Sequence, residues 1–147
     1  MTGLAAPRAL HGALTALVTP FREDGEVDLA TFKALVRWQV ESGIDGLVPC
    51  GTTGEGATLL SEEQDSLVAA AVDAAEGRVP VVAGCGTNDT RRTLELARRA
   101  AAAGADALNV TRVAPSVTSL VTPSWRRGSS STRTAPTAGR KVTSVSR

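Results

Sequence analysis

Apolar and polar positions follow two different rhythms along the first 113 residues. Short apolar runs bounded by Pro or Gly read as buried strands at Ala13–Thr19, Gly46–Cys50, Val79–Cys85 and Ala107–Thr111. Longer amphipathic stretches separate them. Leu29, Phe32, Leu35, Val36 and Val40 recur at helical spacing behind Asp28, a good N-cap, and predict a helix to about Glu41 that Gly43 ends. Ser61 with Gln64 three residues on predicts a capping box and a helix to about Ala75, stopped by Gly77. Thr87–Thr90 reads as a loop and cap ahead of a third helix, Arg91–Ala103, with Leu94, Leu96, Ala97 and Ala100 inward. The order is therefore βαβαβαβ. Consecutive units of about 30 residues imply a parallel sheet with right-handed crossovers. A doubly wound sheet and the start of a (β/α)8 barrel both satisfy this pattern, and the pattern alone does not choose between them.

Composition divides the chain in two. The 147 residues carry a formal charge of +1 and are 42% hydrophobic, enough for one domain with a core. That near-neutral charge is a cancellation. Through Asp106 there are 15 acidic and 9 basic residues; from Ala107 onward there are 7 basic residues and no acid. Ser and Thr supply 15 of the 37 residues from Thr111 to Arg147, with Pro115, Pro123 and Pro136 among them. The segment 10–113 is expected to fold, and 114–147 is expected to be a disordered basic tail. Only Trp125 in that tail offers a ring for base stacking, so nucleic-acid binding is not expected. No apolar run is long enough for a membrane span, and Met1–Leu10 lacks the apolar stretch of a secretory leader. Cys50 and Cys85, far apart and without CxxC spacing, read as small buried thiols, and a cytoplasmic chain is expected.

The densest chemistry lies directly after the second strand. Gly51-Thr52-Thr53-Gly54-Glu55-Gly56 offers backbone N–H groups and two hydroxyls at the carboxyl end of a parallel strand, which suits a carboxylate or phosphate. No Lys follows, so it is not a P-loop, and its spacing is not the dinucleotide fingerprint. A connecting turn with capping hydroxyls is the plainer alternative.

The run Gly46-Leu-Val-Pro-Cys-Gly-Thr-Thr-Gly-Glu-Gly56, followed by Ala57-Thr-Leu59 and Glu63, resembles the signature of the dihydrodipicolinate synthase family, which includes N-acetylneuraminate lyase. His11-Gly-Ala-Leu-Thr-Ala-Leu-Val-Thr-Pro-Phe21, Gly25, Ser42-Gly43, Arg78-Val-Pro-Val-Val-Ala-Gly84 and Gly104-Ala-Asp106 extend the resemblance over about 10–111. Gly-Thr-Thr-Gly-Glu looks closer to the synthase than to the neuraminate lyase. The resemblance implies the N-terminal part of a (β/α)8 TIM barrel. It also implies a pyruvate-dependent lyase in lysine and diaminopimelate biosynthesis. There a lysine near the sixth strand forms a Schiff base with pyruvate, and the enamine attacks aspartate semialdehyde. By motif position, Thr52 is implied as a hydroxyl of a proton relay and Thr53 as the binder of the pyruvate carboxylate; Ala16 lies on the first strand near that pocket. No metal or organic cofactor is implied, and family members are homo-oligomers.

The departures concern catalysis itself. Tyr is absent from the whole chain, whereas the family's fourth strand leads into Thr-Pro-Tyr-Tyr; here Thr111 is followed by Arg112-Val113-Ala114-Pro115. The only lysines are Lys33, expected on the outer face of the first helix, and Lys141, in the basic tail without a desolvating pocket. A shifted reading frame or equivalent truncation near codons 110–114 is the expected origin of the tail, and this chain is expected to be inactive by itself. Two alternatives stand beside the synthase: a piece of another pyruvate aldolase, of neuraminate or keto-deoxy sugar acid type, and a non-enzymatic degraded gene product. Of the remaining candidates, His11 reads as solvated, Glu55 as a loop-orienting residue, Trp38 as packing, and Arg91, Arg92, Arg98 and Arg99 as an exposed helix face.

Overall fold

The computed structural model describes residues 10–110. Its elements are β1 (Leu14–Ala16), α1 (Leu29–Glu41), β2 (Gly46–Val48), α2 (Ser61–Ala75), β3 (Val82–Gly84), α3 (Thr90–Ala102) and β4 (Ala107–Asn109). Each expected element is present, with strands shorter than the apolar runs predict. The flanks of those runs still pair: Leu17 N–H donates to Val48 O, and Gly84 N–H to Pro49 O. The segment 114–147, and with it the expectation of a disordered tail, lies outside the described residues.

Strand order separates the two architectures. β1 pairs parallel with β2 at Leu14↔Gly46, and β3 with β4 at Val82↔Ala107. A parallel bridge between Leu47 and Val81 joins the two pairs. Spatial order thus follows chain order, with no reversal of the kind a doubly wound sheet contains. The helices agree. Leu47, Val81 and Ala83 share one buried cluster with Phe32 of α1, Leu67 of α2 and Ala100 of α3, so all three helices cover the same face. On α2, the buried Ala70, Ala71, Ala74 and Ala75 present a low surface against which α1 and the strands pack closely. The opposite face carries Ala16 and Val18, both exposed.

Helix starts rest on local chemistry. Asp28 accepts from Thr31 N–H at 3.0 Å, from the Thr31 hydroxyl at 2.7 Å and from Ala30 N–H at 3.1 Å, and these bonds hold its carboxyl below the usual range. The box expected at Ser61 sits one residue earlier: Leu60 is the cap, and the Glu63 carboxylate accepts its N–H at 2.7 Å. An apolar cap residue hid that register from the sequence pattern. Arg99 is not part of an open arginine face, since it is half-buried and binds Asp65 across α2–α3 with two side-chain nitrogens. Trp38 is 58% exposed rather than packed, because it points away from the Phe32–Val36–Val40 stripe.

A repeated clasp sets the strand register. Asp45 donates its N–H to Ala13 O and accepts Ala13 N–H on its carboxylate, at 3.0 and 2.8 Å. Asp106 does the same to Val81, with both bonds at 2.9 Å. Each Asp follows a helix-ending glycine by two residues, at Gly43-Ile44-Asp45 and Gly104-Ala105-Asp106. One side chain therefore bridges the start of one strand to the start of the next.

Candidate functional site

The Gly51–Gly56 loop sits at the carboxyl end of β2, held by its own backbone and by two neighbours. Gly54 N–H and Gly56 N–H both donate to Gly51 O at 3.1 Å, and Glu55 N–H donates to Thr52 O. Outside the loop, the Thr19 hydroxyl donates to Gly54 O at 2.7 Å, and Gln64 Nε2 donates to Gly56 O at 2.6 Å. Cys50 and Glu55 take left-handed backbone, at φ 56° and 57°, conformations that non-glycine residues rarely adopt. Gly84 is required by close approach: a Cβ there would collide with the Cys50 carbonyl.

The loop exposes the side chains of Thr52 and Thr53. Their backbone N–H groups donate to no partner among the described residues. Among the described residues, these two N–H groups and two hydroxyls make a donor-rich patch, suited to a small carboxylate. Ala16 is on β1, in register with Val48 and exposed on the face opposite the helices.

Beside the loop lies a cavity of about 210 Å³ at the ends of β2, β3 and β4, lined by Cys50, Thr52, Gln64, Cys85, Thr87 and Asn109 among others. Thr52 contributes to its wall, whereas Thr53 and Ala16 do not. Both thiols are buried and free. Burial pushes Cys50 up to about 12, helped by the neighbouring Cys85 and Asp65, and Cys85 up to about 11. They are therefore neutral, inert walls rather than nucleophiles. Glu55 holds the loop through its main chain, since its carbonyl accepts the Thr58 hydroxyl at 2.9 Å. Thr19 and Gln64 escaped the sequence reading. The spacing pairs Gln64 with Ser61 as a capping box, and a buried threonine after a strand carries no pattern of its own. His11 is exposed, at the end of β1 opposite the loop.

Lys33 lies on the outer helical layer, where its Nζ donates to Asp73 of α2 at 2.8 Å and holds that carboxyl below its ordinary range. Its amine is engaged in this α1–α2 ion pair. Among the described residues no group of three or more His, Cys, Asp or Glu side chains is arranged to hold a metal ion. No described helix is long and apolar enough to cross a membrane.

A model of the dihydrodipicolinate synthetase family matches residues 9–117. The chain belongs to that family. The 4-hydroxy-tetrahydrodipicolinate synthase of Maridesulfovibrio salexigens is 56% identical over 97 residues, which are 66% of this chain and 33% of that relative. The synthase of Methylobacterium radiotolerans is 56% identical over 110 residues, 75% of this chain and 36% of the relative. Among solved structures, dihydrodipicolinate synthase from Aquifex aeolicus aligns with a TM-score of 0.66 at 42% identity, over 69% of this chain and 34% of that one. The chloride-inhibited synthase from Acinetobacter baumannii, complexed with pyruvate, aligns with a TM-score of 0.68 at 39% identity, over 69% and 35%. This chain spans about a third of the length of the curated relatives it matches. Its fold is the N-terminal part of the family's (β/α)8 barrel, the barrel alternative of the two the sequence pattern allowed. The family match also runs past Thr111, where the recognisable motifs stop.

Proposed function

We propose that this chain carries the pyruvate-carboxylate side of a 4-hydroxy-tetrahydrodipicolinate synthase site, on the barrel segment 10–113, and not its Schiff-base side. The observation that carries the reading is the Thr52–Thr53 pair, with free N–H groups and exposed hydroxyls on a pinned loop at the carboxyl end of β2. In barrel enzymes the chemistry sits at that end of the strands. Thr53 then donates its N–H and hydroxyl to the pyruvate carboxylate, and Thr52 offers a hydroxyl that accepts one proton while donating another. Ala16 contributes the adjacent wall of the open strand face. The aldehyde partner is aspartate semialdehyde, and the enzyme is a cytoplasmic homo-oligomer that uses no cofactor.

Schiff-base chemistry needs an amine that condenses with the pyruvate carbonyl and releases water. Lys33 is held in an ion pair on the outer layer, and the chain contains no tyrosine to complete a relay with Thr52. The 147-residue chain is therefore inactive by itself and requires a polypeptide bearing the remaining barrel and its lysine. Borohydride reduction with pyruvate tests both halves. The chain alone should give no reduced adduct by mass spectrometry. Mixed with the complementary barrel segment, an adduct should form on that segment's lysine. Thr53→Val should weaken pyruvate there by roughly 10- to 100-fold, the worth of hydrogen bonds to a charged group. An adduct on Lys33 or Lys141, or indifference to Thr53→Val, overturns the reading.

A further inference from the structure

We propose that Thr19 and Gln64 are positioning residues that hold the Gly51–Gly56 loop in its ligand-ready shape. The ligand half of this inference rests on the reading of Thr52 and Thr53 given above. The loop's internal bonds all close on Gly51 O or Thr52 O and shape the coil without fixing it to the barrel. Attachment comes from two side chains on different elements. Thr19, just beyond β1, takes Gly54 O, and Gln64, in the first turn of α2, takes Gly56 O. Both are buried, at 7% and 5% exposure, and both bonds are short, at 2.7 and 2.6 Å. Water is thus a poor substitute for either donor. Between the two anchors lies Glu55, in left-handed backbone that an unanchored loop has reason to leave. Gly54 seats directly on the chain after β1, since a Cβ there would lie 2.7 Å from Leu17 O. The anchors' hydrogen bonds go to Gly54 O and Gly56 O and not to Thr52 or Thr53, so Thr19 and Gln64 act on a ligand through the loop.

The arrangement is preorganisation: donors fixed before the ligand arrives lose less freedom on binding. Loss of one anchor should loosen Gly54–Gly56 while leaving the helical core intact. The test uses the full chain and the variants Thr19→Val, Thr19→Ser, Gln64→Leu and Gln64→Met. Amide hydrogen exchange is followed at Gly54, Glu55 and Gly56, with Val36 and Leu67 as core references, and pyruvate is titrated against the Thr52 and Thr53 amides. Thr19→Val and both Gln64 variants should speed loop exchange by about tenfold, with core exchange unchanged. Pyruvate binding should weaken by a similar factor, and Thr19→Ser should restore both. Unchanged loop exchange in Thr19→Val and the Gln64 variants overturns the proposal. So does a loop and core that accelerate together, which is loss of global stability alone. A wild-type chain that shows no pyruvate response removes the ligand assignment, and the exchange measurements then decide the positioning role by themselves.

Discussion

Thr52 and Thr53 are ordinary residues in an extraordinary setting: their hydroxyls are common chemistry, and the free N–H groups beside them come from the loop. The thiols show the same dependence on surroundings. Cys50 and Cys85 have an ordinary value of 9.0, yet burial raises them to about 12 and about 11. In the fold each keeps its proton over a pH range in which the unfolded chain has already lost it. The stability these two thiols contribute is therefore present below about pH 9 and is lost as pH rises from about 9 toward 12. Alkylation by iodoacetamide at mildly alkaline pH should leave both thiols unlabelled in the native chain and label both in urea. Stoichiometric labelling of the native chain would show that one of these thiols is not buried. The burial of both residues was legible in their apolar strand runs. Their shared wall was not, because it depends on β2 and β3 being neighbours.

Helices α1, α2 and α3 were readable from periodicity, and their ends from Asp28, Gly43 and Gly77. Leu60 was not, since a leucine cap has no side-chain acceptor and only Glu63 reveals it. The Asp45 and Asp106 clasps were equally silent in the sequence, where each is one more charged residue in a turn. Their environments give different expectations. Val81 is 1% exposed, so Asp106→Ala leaves its N–H without a partner and should cost about 1–3 kcal/mol. Ala13 is exposed, so water replaces the carboxylate in Asp45→Ala and the cost should stay under about 1 kcal/mol. Urea unfolding midpoints at constant m-value measure the difference. Equal losses would mean that the two clasps are equivalent and that burial does not matter.

At the scale of the molecule, β1 and β4 each pair on one side only among the described residues. The strand face beneath them carries Val18, 52% exposed, and Ala16. Unpaired strand edges beside an apolar face favour association. The 147-residue chain should therefore sediment as species larger than 15.1 kDa, in proportions that rise with concentration. A single monomeric species across the concentration range would count against it. The sequence by itself determined the βαβαβαβ order, the core stripes of the helices and the loop that carries Thr52 and Thr53, because periodicity, caps and glycines act over a few residues. Only the tertiary structure decided that the sheet is wound in one direction with all helices on one face. It also decided that Thr19 and Gln64, 45 residues apart in the chain, grip the same loop. Strand order and anchoring are long-range contacts, and nothing in the local spacing of either residue encodes its partner.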